Sequence, residues 1–105
     1  MIFEKKYSVY VDVAANDKMF SHIRFLAQVS VMAAERLYAA LKESIDALED
    51  SPEIYPTYTP QKPIEAELRY KLCGKRYKIV FEIIENNVYV YDIQDCRQDT
   101  DKSLV

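Results

Sequence analysis

The sequence predicts an α+β domain in which a helical hairpin packs on one face of a small, mainly antiparallel, twisted sheet. An alternating segment comes first, two amphipathic segments with helical spacing follow, and three further alternating segments come after a proline-rich stretch. The predicted order is β-α-α-β-β-β, and the separation of helices from most strands is typical of an α+β layout. With 105 residues, of which 50% are hydrophobic, residues 1–105 are expected to form a single domain with a polar tail over residues 99–105.

The first half of the chain contains one predicted strand and two predicted helices. Apolar and polar residues alternate around Val9, as they do in a half-buried strand. Asn16 and Asp17 offer an N-cap and a negative first turn to a helix of about 12 to 14 residues. Ser30 is placed to cap a second helix, and Pro52 ends it because proline disfavours helical geometry in the preceding residue. The apolar stripe of this helix consists of Ala34, Leu37, Tyr38, Leu41, Ile45 and Leu48.

The second half contains a proline-rich loop and three predicted strands. All four prolines lie within residues 52–63, which predicts a restrained loop over the surface. Alternation over residues 65–72 and 76–84 predicts two strands joined by a turn at Gly74 and Lys75. Asn86 and Asn87 predict a second hairpin turn, because asparagine tolerates positive φ, and residues 88–93 form the last strand. The helices would cover one face of this sheet, and the other face is expected to be free.

Composition excludes several classes of function. A net charge of −3 argues against a general nucleic-acid binder. The single glycine, Gly74, excludes the phosphate-binding loops of Rossmann and P-loop proteins, which need several glycines. Cys73, Cys96 and His22 are too few and too far apart in sequence for a zinc site, so we expect no metal and no cofactor. The two cysteines are interpreted as free thiols, and His22 as a surface or boundary residue.

The sequence also lacks signals for a membrane. No apolar run approaches the ~20 residues that span a bilayer. The first six residues do not show the charged-then-apolar layout of a signal peptide. We therefore expect a cytoplasmic protein.

Positive charge is concentrated in residues 62–78, which contain six lysines or arginines and two glutamates. Alternation places Arg69 and Lys71 on one face of their strand, and Arg76 and Lys78 on one face of the next. If the apolar residues face the helices, these four side chains point to the free face, and Arg97 follows the last strand nearby. Such a cluster predicts an anion- or partner-binding site, for RNA phosphate or for an acidic protein segment. The alternative is an ordinary exposed sheet face, and the residues alone leave both interpretations open.

The order of elements and several local motifs resemble the RelE/ParE superfamily of bacterial type II toxins, often labelled plasmid stabilisation proteins. The resemblance extends over residues 7–99. It is carried by the strand at residues 67–70 (ELRY), the strand at 76–83 (RYKIVFEI), the strand at 87–93 (NVYVYDI) and the ending at 97–99 (RQD). The helix end at residues 47–52 (ALEDSP) is similar to the family's leucine-to-proline junction.

The resemblance implies a small toxin that a partner antitoxin neutralises. RelE-like members cleave messenger RNA in the ribosomal A site without metal, and Arg69, Lys78 and Arg97 match basic positions of these enzymes. ParE-like members share the fold, poison DNA gyrase and lack the terminal catalytic residues. The tyrosine or histidine expected just after Arg97 is absent, because an amide and a carboxylate stand there. This departure and the acidic total favour the ParE-like side. The alternatives are a ribosome-dependent ribonuclease, which would be an enzyme, and a non-toxic orphan domain that only binds a partner.

The resemblance also implies where the partners bind. DNA gyrase is the expected target, or the ribosome with messenger RNA in the alternative, and the sequence leaves a homodimer open. The antitoxin is expected to combine an apolar helix with several carboxylates. Its predicted docking surfaces are the small residues of the helical hairpin and the basic sheet face, namely Ala33, Ala34, Ala40, Arg69, Lys71, Arg76 and Lys78.

Overall fold

The computed structural model describes residues 6–97 and 103–105. Two helices pack against a five-stranded mixed sheet, in which strand order is β1-β5-β4-β3-β2. The outer strand β1 pairs with β5 in parallel, and the other neighbours are antiparallel. The elements are β1 (Ser8–Val11), α1 (Val13–Ala27), α2 (Val31–Asp46), two 3₁₀ turns (Ala47–Glu49 and Pro52–Ile54), β2 (Thr57–Tyr58), β3 (Leu68–Cys73), β4 (Tyr77–Ile84) and β5 (Asn87–Asp95). The predicted α+β class and the order β-α-α-β-β-β are confirmed, and the proline-rich loop adds the short strand β2.

The ends of the two helices are set by a side-chain cap, by the backbone conformation before the helix and by a proline. The Ser30 hydroxyl accepts a hydrogen bond from the backbone N–H of Ala33 at 3.1 Å, which confirms the predicted cap of α2. Helix α1 begins at Val13, earlier than the cap predicted at Asn16 and Asp17, because the chain is extended only as far as Asp12. Helix α2 ends at Asp46 and tightens into a 3₁₀ turn before Pro52.

The main hydrophobic core lies between the helices and one face of the sheet. Met19 of α1 and Leu41 of α2 meet Ile79 and Phe81 of β4 and Val90 of β5 there. Leu41, Ile79, Phe81 and Val90 are fully buried. Each large side chain of this kind contributes roughly 1.5–3 kcal/mol through burial. The predicted packing of the helical hairpin on the sheet is confirmed.

Two turns and a bulge determine which side chains face the core. Gly74 has a φ of +63° in the turn between β3 and β4, where a left-handed residue is needed. The second hairpin turn lies one residue earlier than predicted, because Ile84 pairs with Asn87 and Glu85 takes the positive φ. Between Val80 and Phe81 the pairing with β5 shifts register and skips Tyr91. Strand β5 therefore changes phase along its length.

The second face of the sheet is not free. It carries a smaller apolar cluster, in which Tyr58, Leu68 and Val80 are buried against Val105. Ile64, Ala66, Tyr70 and Tyr91 pack around this cluster. The expectation of an uncovered face is therefore wrong, because the apolar residues of β3 and Val80 of β4 face away from the helices and build a second core. The part of the predicted tail at residues 103–105 packs on this face, and residues 99–102 lie outside the described residues.

Candidate functional site

The predicted basic face is divided between the two sides of the sheet. Arg69 pairs with Phe81, and Lys71 pairs with Ile79, whose side chains belong to the main core. The apolar partners of β3, Leu68 and Tyr70, face the second cluster instead of the helices. Arg69 and Lys71 therefore lie on the helix side, and the expectation that the four basic residues share one uncovered face is wrong.

Arg69 and Lys71 donate hydrogen bonds to backbone carbonyl oxygens of neighbouring segments. Arg69 Nη1 donates a hydrogen bond to the carbonyl oxygen of Tyr55 at 2.7 Å. Lys71 Nζ donates to the carbonyl oxygen of Ser44 at 2.9 Å and lies 5.4 Å from the centre of the Tyr55 ring. Ser44 is in the last turn of α2, where backbone carbonyls have no hydrogen-bond donor within the helix and a positive charge is favourable. Both residues hold the helical hairpin and the proline-rich loop to the sheet.

Arg76 is engaged by a carboxylate. Its Nε lies 3.1 Å and its Nη2 2.8 Å from Asp95 Oδ2, and the Asp95 side chain is only 4% exposed. Burial alone would raise the pKa of the Asp95 carboxyl, but hydrogen bonds from Arg76 and from the backbone N–H of Arg97 outweigh it and hold this pKa below its ordinary value. The same hydrogen bond with Asp95 raises the pKa of the Arg76 guanidinium. Arg76 is thus paired within the chain.

Lys78 is the basic residue of this group that faces the second side. It pairs with Leu72 and Gln94 on neighbouring strands. Its Nζ lies 4.7 Å from the centre of the Tyr70 ring and 5.7 Å from that of Tyr58. Within residues 6–97 and 103–105 no carboxylate forms an ion pair with Lys78, so its charge is stabilised by aromatic rings alone. Lys78 and the exposed Arg97 keep charges that a partner anion can reach.

A buried carboxylate on the second face was missed by the sequence analysis. Asp92 is fully buried, and it accepts hydrogen bonds from Lys18 Nζ, Gln94 Nε2 and the backbone N–H of Leu104, each at 2.8 Å. Ser103 Oγ lies 3.4 Å from the same carboxylate. An acidic residue inside an otherwise apolar strand is the signal that could have revealed it, since buried charges are nearly always paired.

A second acidic contact lies beside this cluster. The Tyr91 hydroxyl donates a hydrogen bond to Glu82 Oε1 at 2.7 Å. Burial of the phenol and this hydrogen bond raise the pKa of Tyr91 to about 12. The phenol therefore stays neutral and acts as a donor at physiological pH.

His22 and the cysteines show no arrangement for catalysis. His22 is buried, and its Nε2–H donates to the carbonyl oxygen of Ile93 at 2.7 Å, beyond the point where β1 stops pairing with β5. His22 was expected at the surface or the boundary. The structure places it in the interior, where it donates a hydrogen bond to a backbone carbonyl of β5. Cys73 is buried and Cys96 is exposed, and neither forms a disulfide. Among the described residues no three His, Cys, Asp or Glu side chains are grouped closely enough to hold a metal ion.

A cleft lies where the two helices meet the end of β1. The rings of Phe20 from α1 and Tyr38 from α2 stack at 5.8 Å and are 37% and 40% exposed. Val11, Asn16, Met19, Lys42, Ile45 and Asp46 line the cleft beside them. Of the small residues predicted to form a docking groove, Ala34 is buried, Ala33 is half-buried and Ala40 is exposed. Beside the cleft, the accessible apolar surface is therefore formed by the two aromatic rings and not by the alanines. Phe25, Val29, Val31 and Met32, near the turn between the helices, are more exposed but do not line the cleft.

Comparisons with known proteins identify the family. A search of curated proteins finds no match to this chain. In the part of the chain that the structure describes, neither helix combines the length and the hydropathy needed to cross a bilayer. A family model described as the ParE toxin of type II toxin–antitoxin systems, parDE, matches residues 9–100. The predicted resemblance to the RelE/ParE superfamily is confirmed, and the chain belongs to the ParE toxin family, as the toxin component of a type II toxin–antitoxin system.

Proposed function

We propose that this toxin acts in the cytoplasm by binding DNA gyrase, without catalytic chemistry of its own, and that a cognate antitoxin neutralises it. The observation that carries the proposal is the separation of the basic residues. Arg69 faces the helices and is bound to the Tyr55 carbonyl, whereas Lys78 faces the opposite side of the sheet. Two cations on opposite faces do not converge on one scissile phosphate, so the ribonuclease triad of Arg69, Lys78 and Arg97 is not supported.

The remaining chemistry suits binding better than RNA cleavage. Among the described residues, the one buried histidine donates to a backbone carbonyl, and the Tyr91 phenol donates to a carboxylate. Neither group is described beside Lys78. The rings that do lie beside it belong to Tyr70 and Tyr58, and the Tyr58 hydroxyl already donates its proton to a main-chain oxygen of Val105. Exposed aromatic rings on the hairpin and an accessible arginine, Arg97, are features of protein-binding surfaces.

Induction of this chain alone in bacterial cells tests the target. We expect growth arrest, filamentation and covalent gyrase–DNA complexes, because a poisoned gyrase leaves broken chromosomes. The matched control is the double variant Lys78→Ala and Arg97→Ala, assayed by primer extension on ribosome-bound messenger RNA beside the unchanged chain. Rapid loss of translation with intact chromosomes, together with cleavage that this variant abolishes, would show a ribonuclease instead. Absence of toxicity would show a domain that only binds a partner.

The antitoxin is proposed to bind the cleft beside Phe20 and Tyr38 through an apolar helix. Its acidic and basic flanks would pair with Lys42 and Asp46, which are both exposed at the cleft. The basic sheet face is no longer proposed as a docking surface, because three of its four residues are engaged within the chain.

Substitution of one ring tests this docking surface. Phe20→Ser is expected to weaken binding of the protein encoded beside the toxin gene by about 30-fold, because truncating an aromatic anchor of an interface commonly costs 2 kcal/mol or more. Phe25→Ser is the matched control, since Phe25 is also exposed on α1 but lies about 140° around the helix from Phe20. Titration calorimetry of both purified variants gives the comparison. Equal affinities of the two variants would place the antitoxin elsewhere.

A further inference from the structure

Residues 103–105 occupy a groove on the second face of the sheet. The Val105 side chain is 8% exposed and completes the cluster of Tyr58, Leu68 and Val80. These three residues come from β2, β3 and β4, so the floor of the groove crosses three neighbouring strands. The groove is thus a property of the folded sheet, and a short segment fills it.

The groove binds the backbone of that segment through side chains. Asp92 accepts the Leu104 N–H at 2.8 Å, and Lys62 Nζ donates to the Leu104 carbonyl oxygen at 3.3 Å. The Tyr58 hydroxyl donates to the Val105 carbonyl oxygen at 3.1 Å. These donors and acceptors lie 12 to 47 residues from their partners in sequence, and they bind main-chain atoms of the segment.

Two side chains of the segment are also recognised. Ser103 Oγ accepts a hydrogen bond from Gln94 Nε2 at 2.7 Å, and it donates within the segment to the Val105 carbonyl at 2.6 Å. The Val105 side chain fills the apolar pocket. The Leu104 side chain is half-buried and is not part of the apolar cluster. The groove therefore selects a hydroxyl residue, tolerates the next residue and selects a small apolar residue in the third position.

We propose that the second face of the sheet is a peptide-binding groove, that residues 103–105 are its intramolecular occupant, and that a peptide of the same pattern can replace them. Main-chain hydrogen bonds to fixed side chains and one apolar pocket are the usual means by which proteins bind short peptides. An occupant on the same chain benefits from a high effective concentration, so a partner segment enters only after it outcompetes residues 103–105. With the segment in place, Asp92 is fully buried and Tyr58 is 7% exposed, so neither is open to a partner.

The test opens the groove in the chain of residues 1–105 and supplies the peptide separately. Leu104→Pro removes the N–H that Asp92 accepts, whereas Leu104→Ala keeps it and is the matched control. The probe is a fluorescent, amidated peptide with the sequence of residues 102–105 (KSLV), and its binding is followed by fluorescence anisotropy. We expect saturable binding of the peptide to the Leu104→Pro chain. Binding to the unchanged and Leu104→Ala chains should be at least about 10-fold weaker, because residues 103–105 occupy the groove and lower the fraction of molecules that can bind the peptide.

Two further measurements keep the result decisive. Val105→Asp expels the segment by placing a charge in the apolar pocket, and it is expected to reproduce the binding seen with Leu104→Pro. A peptide with proline in place of leucine lacks the N–H for Asp92 and should not bind either variant. Circular dichroism and thermal unfolding establish that the variants are folded. If folded Leu104→Pro and Val105→Asp chains both fail to bind the peptide, or if the unchanged chain binds it equally well, the groove is not a peptide site.

Discussion

Replacing Asp92 by alanine is expected to lower the free energy of unfolding by about 3–5 kcal/mol, the usual cost of removing one partner of a buried ion pair. The Asp92 side chain is fully buried, and the Lys18 ammonium that faces it at 2.8 Å is only 15% exposed. The substitution removes this carboxylate from Lys18 and also removes the acceptor of the Leu104 N–H. Urea denaturation followed by circular dichroism measures the loss.

Two comparisons isolate the contribution of the buried charge. Asp92→Asn keeps the size and one acceptor oxygen, so its cost should fall between zero and that of Asp92→Ala. Asp46→Ala removes an acid that pairs with Lys42 at 3.5 Å, where both side chains are at least 60% exposed. That substitution should cost less than about 1 kcal/mol, because water screens an exposed pair. Equal losses for Asp92→Ala and Asp46→Ala would contradict a buried, charged Asp92.

The sequence was sufficient to predict both helices and four of the five strands, because each depends on local patterning, whereas the two-residue strand β2 was missed. The Ser30 cap, most of the apolar stripe of α2 and the turn at Gly74 follow from local sequence patterns and are present in the structure. Of the predicted stripe, Tyr38 is 40% exposed, and Leu48 is buried but lies in the 3₁₀ turn after the helix. Pro52 limits the second helix for the same reason, since the residue before a proline is disfavoured in helical geometry. The class of fold and the order of elements then follow from the sequence of these local features.

Alternation could not decide which face of β3 is buried under the helices. Leu68 and Tyr70 alternate with Arg69 and Lys71 whichever way the strand is turned, because a period of two distinguishes the faces without orienting them. The apolar set turned away from the helices because a second cluster on the other side buries it. Val80, apolar on the opposite face of β4, was the available signal for that second cluster.

The bulge in β5 concealed the polar contacts of the candidate site. A regular period of two would place Asp92 on the same face as Val88 and Val90, which belong to the main core. The register shift that skips Tyr91 instead pairs Asp92 with Val80 of the second cluster and returns Ile93 to the main core. Ion pairs such as Lys18–Asp92 join residues that are distant in sequence, so no local pattern predicts them.

Replacing Arg76 by alanine is expected to cost about 1.5–3 kcal/mol of stability at pH 7, the range for hydrogen bonds to a charged group. Arg76 donates to both carboxylate oxygens of Asp95, and without Arg76 this nearly buried carboxylate would lose its strongest partner. A partner-binding role alone would predict unchanged stability. Charge reversal of Arg76 would therefore lower stability as well as change the surface charge, so it could not report on antitoxin binding alone.

The same contact gives a pH dependence whose sign follows from the lowered pKa of Asp95. Because this pKa is lower in the folded state, the contribution is fully present above the unfolded value, about 3.9, and is lost as pH falls through the folded value. The difference between the unchanged chain and Arg76→Ala should thus be largest at pH 5–7 and shrink below about pH 4. Arg97→Ala is the matched control, because Arg97 reaches Asp95 through its backbone N–H, which alanine retains. Denaturation of the three chains at pH 7, 5 and 3 measures these differences, and an equal loss for both variants at every pH would exclude the Arg76–Asp95 pair as its source.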